Sequence, residues 1–429
     1  MSRYMESRFT ASVPGESSEI MNRLESVKLL AHAREYPDQS ILFNTGTGGS
    51  IDCLPAIHRD VIYFSCCDHN LYAVSLKGKE IWRFSTNGPN VGDISVSNEM
   101  IVFGSLDRNV YALDLKGRLL WKFEAGGSIA SKALLHDGRI YFGCEDHQLY
   151  CLDRKGKLLW KFATKGPIIS DPAVHENAIY IGSFDRNLYA VDVKGNEIFS
   201  FPTGGVVGSP RAANGIIYFG SSDGNFYAID SNGRILWQYA TKGIIRSRAT
   251  GIEGGIVYFS SQDDSLYAFS LDGKLLWKFP IEDYVVYPPT VYEGGIYFGC
   301  ADFNVYALTL DGKLKWKFPT QGKVINRPVP HEGVLYFGSW DCNLYAINTR
   351  GELLWTFPTS ISTPAPITPY TPPNVAFSLP SASVAETGEM EIYRPPASHT
   401  FLDEGSGTYV SKSTYVTKNL YAGGKRKYK

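Results

Sequence analysis

The sequence lacks the patterns that mark membrane and secreted proteins. No run of about 18 apolar residues occurs, so the sequence predicts no transmembrane segment. Residues Met1 to Pro14 are polar and of mixed charge, without the apolar stretch of a secretory signal. We therefore expect a cytoplasmic protein.

Cysteine is scarce, and neither sign of charge is in excess. The seven cysteines are an odd number and none has CxxC spacing, so no disulfide framework or zinc ribbon is predicted. The 42 basic and 43 acidic residues give a net charge of −1, which favours neither nucleic acid nor an anionic membrane as a partner. The cysteines are Cys53, Cys66, Cys67, Cys144, Cys151, Cys300 and Cys342.

Sequence motifs for catalysis are also missing. The chain has no Gly-rich phosphate loop and no nucleophile motif, and its eight histidines form no pair at metal-ligand spacing. The motifs therefore predict no catalytic residue and no metal site.

What the chain does contain is one strand–turn–strand pattern that occurs eight times, most clearly in residues 102–123. A turn aspartate recurs every 38 to 40 residues, and a period of about 40 is typical of a propeller, a solenoid or an array. One aspartate per repeat is too dispersed to bind one ion, so we expect each to accept backbone N–H bonds in its own turn. These residues are Asp68, Asp107, Asp146, Asp185, Asp223, Asp263, Asp302 and Asp341.

Each repeat is predicted to form four strands, with the first strand nearest the centre of a ring. In the third repeat we expect strand two at 140–143, strand three at 149–152 and strand four at 158–162. First strands are expected to start near Ser131, Ser170, Ser209 and Ser247.

Two further positions recur in every repeat. A glycine after a polar residue supplies the positive φ of a tight hairpin. An aromatic residue four positions later is interpreted as a wedge between blades, and truncation of one buried ring should cost about 3–5 kcal/mol. The glycines are Gly78, Gly117, Gly156, Gly195, Gly233, Gly273, Gly312 and Gly351. The wedges are Trp82, Trp121, Trp160, Phe199, Trp237, Trp277, Trp316 and Trp355.

The repeats divide the chain into three regions. Residues 1–38 form an N-terminal extension with a helix predicted at 17–36, which either docks on a partner or packs on the propeller. Residues 39–357 form the propeller. Residues 358–429 form a Pro-, Ser- and Thr-rich tail that is predicted to be disordered. The basic tip of the tail is either a solvated terminus or a contact for nucleic acid, lipid or an acidic partner.

Residues 40–45 match the last strand of a repeat, although they precede the first complete repeat. Propellers close by joining the two ends of the chain in one blade, which removes exposed sheet edges. We expect residues 40–45 to help close the ring. The eighth repeat has its own last strand at 353–357, and the sequence leaves open which of the two is outermost.

The repeats share the pattern Leu-Tyr-Ala-Leu-Asp, two variable residues, Gly and then Leu-Leu-Trp. This pattern resembles the repeat of the quinoprotein-like β-propellers, the pyrroloquinoline quinone (PQQ) repeat family. The resemblance covers about residues 40–357. It implies an all-β fold, an eight-bladed β-propeller of four-stranded antiparallel blades. Ala112, Asp114, Gly117 and Trp121 follow the tryptophan-docking motif of the family with one turn residue missing and without its usual threonine. The WD40 repeat has a similar period, but its Gly-His and Trp-Asp pairs do not recur here in register.

The PQQ repeat family contains quinone-dependent alcohol and sugar dehydrogenases and also non-enzymatic scaffolds, such as the lipoprotein of the bacterial outer-membrane assembly machine. A quinone enzyme would hold the cofactor over the ring centre with calcium, which needs six or more oxygen ligands. The residues expected in the central channel instead carry both signs of charge, which favours a solvated funnel. The channel candidates are Asp93, Asp171, Arg246, Arg248, Asn326 and Arg327, together with Asp52, Lys132 and Tyr287.

The adjacent cysteines Cys66 and Cys67 are similar to the vicinal disulfide that some quinone dehydrogenases place against the cofactor. They occupy the register of Ser105 and Leu106, at the end of strand two, so we interpret them as ordinary repeat residues. We therefore predict a monomeric, non-enzymatic scaffold that mediates protein–protein interaction and uses no cofactor. The alternatives are a PQQ-dependent oxidoreductase with calcium, and binding of a small ligand or sugar in the central funnel.

Overall fold

The computed structural model describes residues 49–245, 248 and 250–359, and the backbone of three short strands between 377 and 411. Residues 56–358 form eight four-stranded antiparallel sheets, each built from one continuous piece of chain. The prediction of an eight-bladed β-propeller is confirmed, and we number the sheets as blades 1 to 8. Arg246 and Ser247 lie outside the described residues, as do the predicted helix at 17–36 and the predicted strand at 40–45.

The strands of blades 1 to 4 follow the chain in order. Blade 1 contains β1 (Ala56–His58), β2 (Val61–Ser65), β3 (Asn70–Ser75) and β4 (Glu80–Ser85). Blade 2 contains β5 (Ser95–Val96), β6 (Ile101–Gly104), β7 (Asn109–Leu113) and β8 (Leu119–Glu124). Blade 3 contains β9 (Leu134–His136), β10 (Arg139–Gly143), β11 (Gln148–Asp153) and β12 (Leu158–Ala163). Blade 4 contains β13 (Ala173–His175), β14 (Ala178–Gly182), β15 (Asn187–Asp192) and β16 (Glu197–Pro202).

Blades 5 to 8 repeat this arrangement. Blade 5 contains β17 (Arg211–Ala213), β18 (Ile216–Gly220), β19 (Asn225–Asp230) and β20 (Ile235–Ala240). Blade 6 contains β21 (Gly251–Glu253), β22 (Ile256–Ser261), β23 (Ser265–Ser270) and β24 (Leu275–Pro280). Blade 7 contains β25 (Thr290–Tyr292), β26 (Gly295–Gly299), β27 (Asn304–Thr309) and β28 (Leu314–Pro319). Blade 8 contains β29 (Val329–His331), β30 (Val334–Gly338), β31 (Asn343–Asn348) and β32 (Leu353–Pro358).

In the C-terminal region, the backbone of three further strands is described, β33 (Phe377–Ser378), β34 (Thr400–Leu402) and β35 (Thr408–Ser411), with β35 between the other two. The rest of this region lies outside the described residues, so its predicted disorder stays a prediction. The described part of the chain contains no helix with the length and apolarity of a membrane span.

The strand order defines two faces of the ring. Each first strand runs from the loop after the preceding blade to a short turn, and the other strands alternate in direction. The loops between blades and the turns between strands two and three therefore share one face, which we call the upper face. The turns between strands one and two, and between strands three and four, share the lower face. All eight predicted turn glycines lie on the lower face, with φ between +76° and +92°.

The first strands begin two to four residues after the serines near which they were predicted to start. Ser131 Oγ donates to the carbonyl oxygen of Gly143 at 2.8 Å and accepts from its N–H at 2.9 Å. Ser170 makes the same two bonds with Gly182. Each serine hydroxyl thus satisfies both the N–H and the C=O of the glycine that ends strand two. Strand one therefore pairs with strand two only after the serine.

The core consists of aromatic and aliphatic side chains that pack between neighbouring blades. Phe142 and Tyr150 of blade 3 stack with ring centroids 4.9 Å apart, and Phe123 of blade 2 meets Tyr150 edge-on at 5.7 Å. Such pairs have favourable quadrupole geometry as well as a large buried area. The second and third strands of the blades are accordingly almost fully buried, while the fourth strand alternates between partly buried and exposed residues.

The same packing closes the ring between blade 8 and blade 1. Phe357 meets Tyr72 edge-on at 5.7 Å, and Trp355 Nε1 donates to the carbonyl oxygen of Leu76 at 3.0 Å. Thr359 Oγ1 donates to the carbonyl oxygen of Gly49 at 2.6 Å, as Thr320 does to Gly322 between blades 7 and 8. Within the described residues, β32 is the outermost strand of blade 8.

Candidate interaction surfaces and central channel

The turn aspartates are structural clamps on the upper face. Asp107 Oδ1 accepts the N–H of Asn109 at 3.0 Å, as the sequence predicted. Its Oδ2 also accepts the hydroxyl of Tyr111 at 2.6 Å and the N–H of Asn87 at 3.0 Å, in the loop that enters the blade. Burial and the bond to Asp107 raise the pKa of Tyr111 above its ordinary value. Sequence reasoning missed the tyrosine, although one follows each of the eight aspartates by four positions.

The wedge residues lie on the outermost strands and are half-buried rather than fully buried. Trp121 of blade 2 packs against Gly156 in the lower turn of blade 3, where an added Cβ would stand 2.7 Å from the indole Cδ2. Its Nε1 donates to the carbonyl oxygen of Arg154 in the same turn at 2.9 Å. Seven wedges make such a bond, while Phe199 packs on Gly233 without an N–H to donate. Each wedge therefore joins its blade to the next.

A hydrogen-bonded network crosses the central channel. The guanidinium of Arg248, before blade 6, donates to the carbonyl oxygen of Ala130, before blade 3, and to the hydroxyl of Tyr287, before blade 7. It also lies 3.5 Å from Asp171 Oδ1. Tyr287 in turn donates to Asp93 Oδ1 at 2.9 Å. The network links the loops that enter five blades.

Charge attraction within the network outweighs the effect of burial on Arg248. Burial lowers the pKa of Arg248, but Asp171, Tyr287 and Asp93 outweigh this effect, so the pKa lies above its ordinary value. Burial raises the pKa of Tyr287 well above its ordinary value, which keeps the hydroxyl a donor. Asp171 also accepts the N–H of Lys132, and Asp93 that of Leu54, each at 2.9 Å. The charges are therefore used to hold the ring together.

The other channel candidates have separate positions. Asn326 donates to the carbonyl oxygen of Ile51 at 3.0 Å, between blades 8 and 1. Arg327 pairs with Glu253 at 3.1 Å. Asp52 is almost fully buried. Sequence reasoning missed Arg211, the first residue of β17, whose guanidinium lies 4.0 Å from Asp171 Oδ2. No sequence motif marks this arginine as a channel residue.

The channel residues do not fit a quinone with calcium. The cation of Arg248 lies between Ala130 and Asp171, where a calcium ion would need converging oxygens. Among the described residues, no group of three or more His, Cys, Asp or Glu side chains is arranged to hold a metal ion. Cys66 and Cys67 are free thiols, and burial raises the pKa of both well above the ordinary value.

Apolar side chains pack at the upper end of the channel. They come from the upper loops and turns around blades 1 to 5, and all are buried. The cluster contains Cys67, Val91, Leu106, Ala130, Ile169, Phe184 and Val206.

The outer rim carries a band of exposed apolar residues. Of the 15 large hydrophobic side chains that are exposed among the described residues, 13 lie at the start of the fourth strands. In most blades they form a pair, and they are 37–52% exposed. The band contains Ile81, Leu119, Leu120, Leu158, Leu159, Ile198, Ile235, Leu236, Leu275, Leu276, Leu314, Leu353 and Leu354. Within the described residues, these side chains lie on the edge strands of their sheets, whose outer backbone groups pair with no other described strand.

Comparisons with known proteins agree with the fold. The family model described as outer membrane protein assembly factor BamB matches residues 42–153, 107–242, 145–283 and 242–365, which is more than half of the chain. No curated protein sequence matches the chain.

Solved structures also match the chain. BamB from Moraxella catarrhalis is 20% identical with a TM-score of 0.61, covering 71% of this chain and 96% of its own. Sqt1 from Saccharomyces cerevisiae is 13% identical with a TM-score of 0.61, covering 71% and 97%. The computationally designed Ika8 protein is 15% identical with a TM-score of 0.62, covering 71% and 97%. At these identities the likeness shows the fold.

Proposed function

Because the chain belongs to the family described as outer membrane protein assembly factor BamB, we propose that it is a non-enzymatic platform that binds other proteins. The name of the family describes a factor in protein assembly, and a ring whose described residues contain no converging catalytic set suits that kind of role. The cross-channel network supports the proposal, because its charged groups are engaged with one another rather than directed at a substrate.

The single observation that carries the proposal is the exposed apolar band on the outer rim. Single exposed apolar residues are ordinary on a protein surface, whereas apolar residues grouped on one surface mark interaction sites. Here the band recurs around the ring on edge strands, which can also pair with a strand of a partner. A partner that covers part of the rim would bury leucine pairs and satisfy edge N–H and C=O groups together.

The test is affinity capture from the native cell with the whole chain and two rim variants. One variant replaces the pairs of blades 2 and 3, Leu119, Leu120, Leu158 and Leu159, with threonine. The other replaces the pairs of blades 5 and 6, Ile235, Leu236, Leu275 and Leu276, in the same way. Each variant is the matched control of the other, because the strands and the degree of exposure are equivalent.

We expect a partner to be lost from one sector variant and kept by the other, while both variants keep the urea midpoint of the wild type. If the wild type recovers no partner above background, the platform proposal is wrong. If partners bind both variants as they bind the wild type, the rim is not the docking surface.

We also propose that the protein works in a reducing compartment, the cytoplasm. The support is that none of its seven cysteines is paired, and unpaired cysteines are usual where glutathione and thioredoxin keep thiols reduced. Cell fractionation with detection of the protein in a periplasmic or extracellular fraction would contradict this location.

A further inference from the structure

Below the cross-channel network, a cavity of about 160 Å³ lies among the first strands and the loops that enter them. Its walls come from blades 1, 5, 6, 7 and 8. Leu54, Ile252 and Pro288 provide apolar surface, while Arg211, Arg327 and Glu253 provide charge. For comparison, a cavity of roughly 150 Å³ holds a benzene molecule. The space therefore suits a ligand of a few non-hydrogen atoms.

Two guanidinium groups line this cavity and have few hydrogen-bond partners among the described residues. Arg211 donates one hydrogen bond, to the carbonyl oxygen of Pro210 at 3.0 Å, and its nearest carboxylate oxygen, on Asp171, is 4.0 Å away. Arg327 donates one bond, to Glu253 at 3.1 Å. A guanidinium has five N–H donors, so most donors of both side chains are left for solvent or a ligand. The side chains are only 30% and 27% exposed, which restricts their access to water.

The pKa of Arg211 also favours an anion in this cavity. Burial lowers its pKa, Asp171 partly opposes this effect, and the like charge of Arg327 lowers it further. An anion between the two arginines would relieve both the desolvation and the repulsion, since Arg–carboxylate bonds are charge-assisted and often bidentate.

We propose that this cavity binds a small monocarboxylate, with its carboxylate between Arg211 and Arg327 and its apolar part against Leu54, Ile252 and Pro288. Glu253 remains paired with Arg327 and lines the same space. Its negative charge disfavours a second negative charge on the ligand, so a monoanion fits better than a dianion such as phosphate. This inference goes beyond protein binding on the outer rim and does not depend on it.

The experiment measures binding of sodium butyrate to the full chain by thermal denaturation and by saturation-transfer NMR, with sodium chloride at equal ionic strength as the reference. Sodium acetate tests the apolar wall, and inorganic phosphate at an alkaline pH, where it is mainly the dianion, tests the preference for a monoanion. We expect butyrate to bind more tightly than either. A ligand that binds only the folded state raises the thermal midpoint as its concentration exceeds the dissociation constant.

Arg211→Gln and Arg327→Gln each remove one charge and should weaken butyrate binding at least about tenfold, the effect of losing one charge-assisted bond. Arg59→Gln is the control, because Arg59 is exposed on the lower face outside the cavity walls and bonds to Asn98. Leu54→Trp, which fills the cavity and leaves both arginines in place, should also abolish binding.

The proposal is overturned if butyrate fails to bind the wild type, or if it binds the arginine variants and Leu54→Trp as tightly as the wild type. Phosphate binding as tight as that of butyrate would overturn the assignment of a monocarboxylate. Should one arginine variant fail to fold, the other and Leu54→Trp decide the result.

Discussion

Replacing Gly156 by alanine, compared with the same change at Gly215, should separate the free energy of the contact between blades from the cost of the turn conformation. Gly156 has φ of +79°, and an added Cβ would lie 2.7 Å from Cδ2 and Cε3 of Trp121 in the preceding blade. Gly215 is the matched control, because its φ is +74° and an added Cβ would meet nothing within 4 Å. Both variants carry the same backbone strain, and only Gly156→Ala also disturbs a wedge.

The magnitude follows from these two contributions. An alanine in the left-handed region costs about 1–2 kcal/mol, which applies to both variants. Displacing the indole adds an overpacking cost of about 1–3 kcal/mol. Weakening its bond to the carbonyl oxygen of Arg154 adds about 1 kcal/mol. Gly156→Ala should therefore reduce the free energy of unfolding by about 2–4 kcal/mol more than Gly215→Ala.

Urea denaturation followed by tryptophan fluorescence and circular dichroism measures both values, with equal slopes required for the comparison. The double variant Trp121→Ala with Gly156→Ala completes a cycle, and its cost should be less than the sum of the single costs. Equal destabilisation by Gly156→Ala and Gly215→Ala would refute the wedge interpretation.

Three further predictions concern the repeated contacts. Phe199→Trp should add the missing indole bond to the lower turn of blade 5 and raise the free energy of unfolding by about 0.5–1.5 kcal/mol; an unchanged urea midpoint would contradict it. Asp107→Asn should cost about 1.5–3 kcal/mol, because the carboxylate accepts from Asn87, Asn109 and Tyr111, whereas Asp137→Asn at an exposed turn should cost nothing measurable. Burial raises the pKa of the Cys53 thiol from 9.0 to about 12, so the stability it contributes is complete below pH 9 and is lost as the pH rises to 12. Cys53→Ala should therefore lose less stability than the wild type over this pH range in urea titrations, and equal losses would contradict the assignment.

Much of the fold could be predicted because its determinants are local and repeated. The number of turn aspartates predicted the number of blades. The pairs of a polar residue and a glycine predicted the lower turns, such as that of Gly117. The inner strand of blade 3 begins after Ser131, because that residue replaces strand contacts with its own hydroxyl. Strand propensity cannot tell whether the backbone of strand two bonds to a neighbouring strand or to a serine hydroxyl.

The sequence placed Asp93, Asp171, Arg248 and Tyr287 in the channel, but their contacts with one another could not be predicted in the same way. Arg248 meets Ala130 across 118 positions of the sequence, and Tyr287 meets Asp93 across 194. Which side chains meet at the centre depends on how far each loop extends into the channel. The pattern of the 39-residue repeat does not predict that distance. Arg211 was missed for this reason, since it is the first residue of an inner strand where the repeat shows no fixed residue type.

The central claim is that the ring is closed, with blade 8 docked on blade 1 as every other blade is docked on its neighbour. Gly78→Ala tests it directly in the whole chain, because an added Cβ at φ +76° would lie 2.9 Å from Cδ2 of Trp355, 277 positions away. A closed ring predicts that Gly78→Ala lowers the free energy of unfolding as much as Gly156→Ala does. A loss no greater than that of Gly215→Ala would show that Trp355 does not pack on blade 1, and would contradict the closed ring.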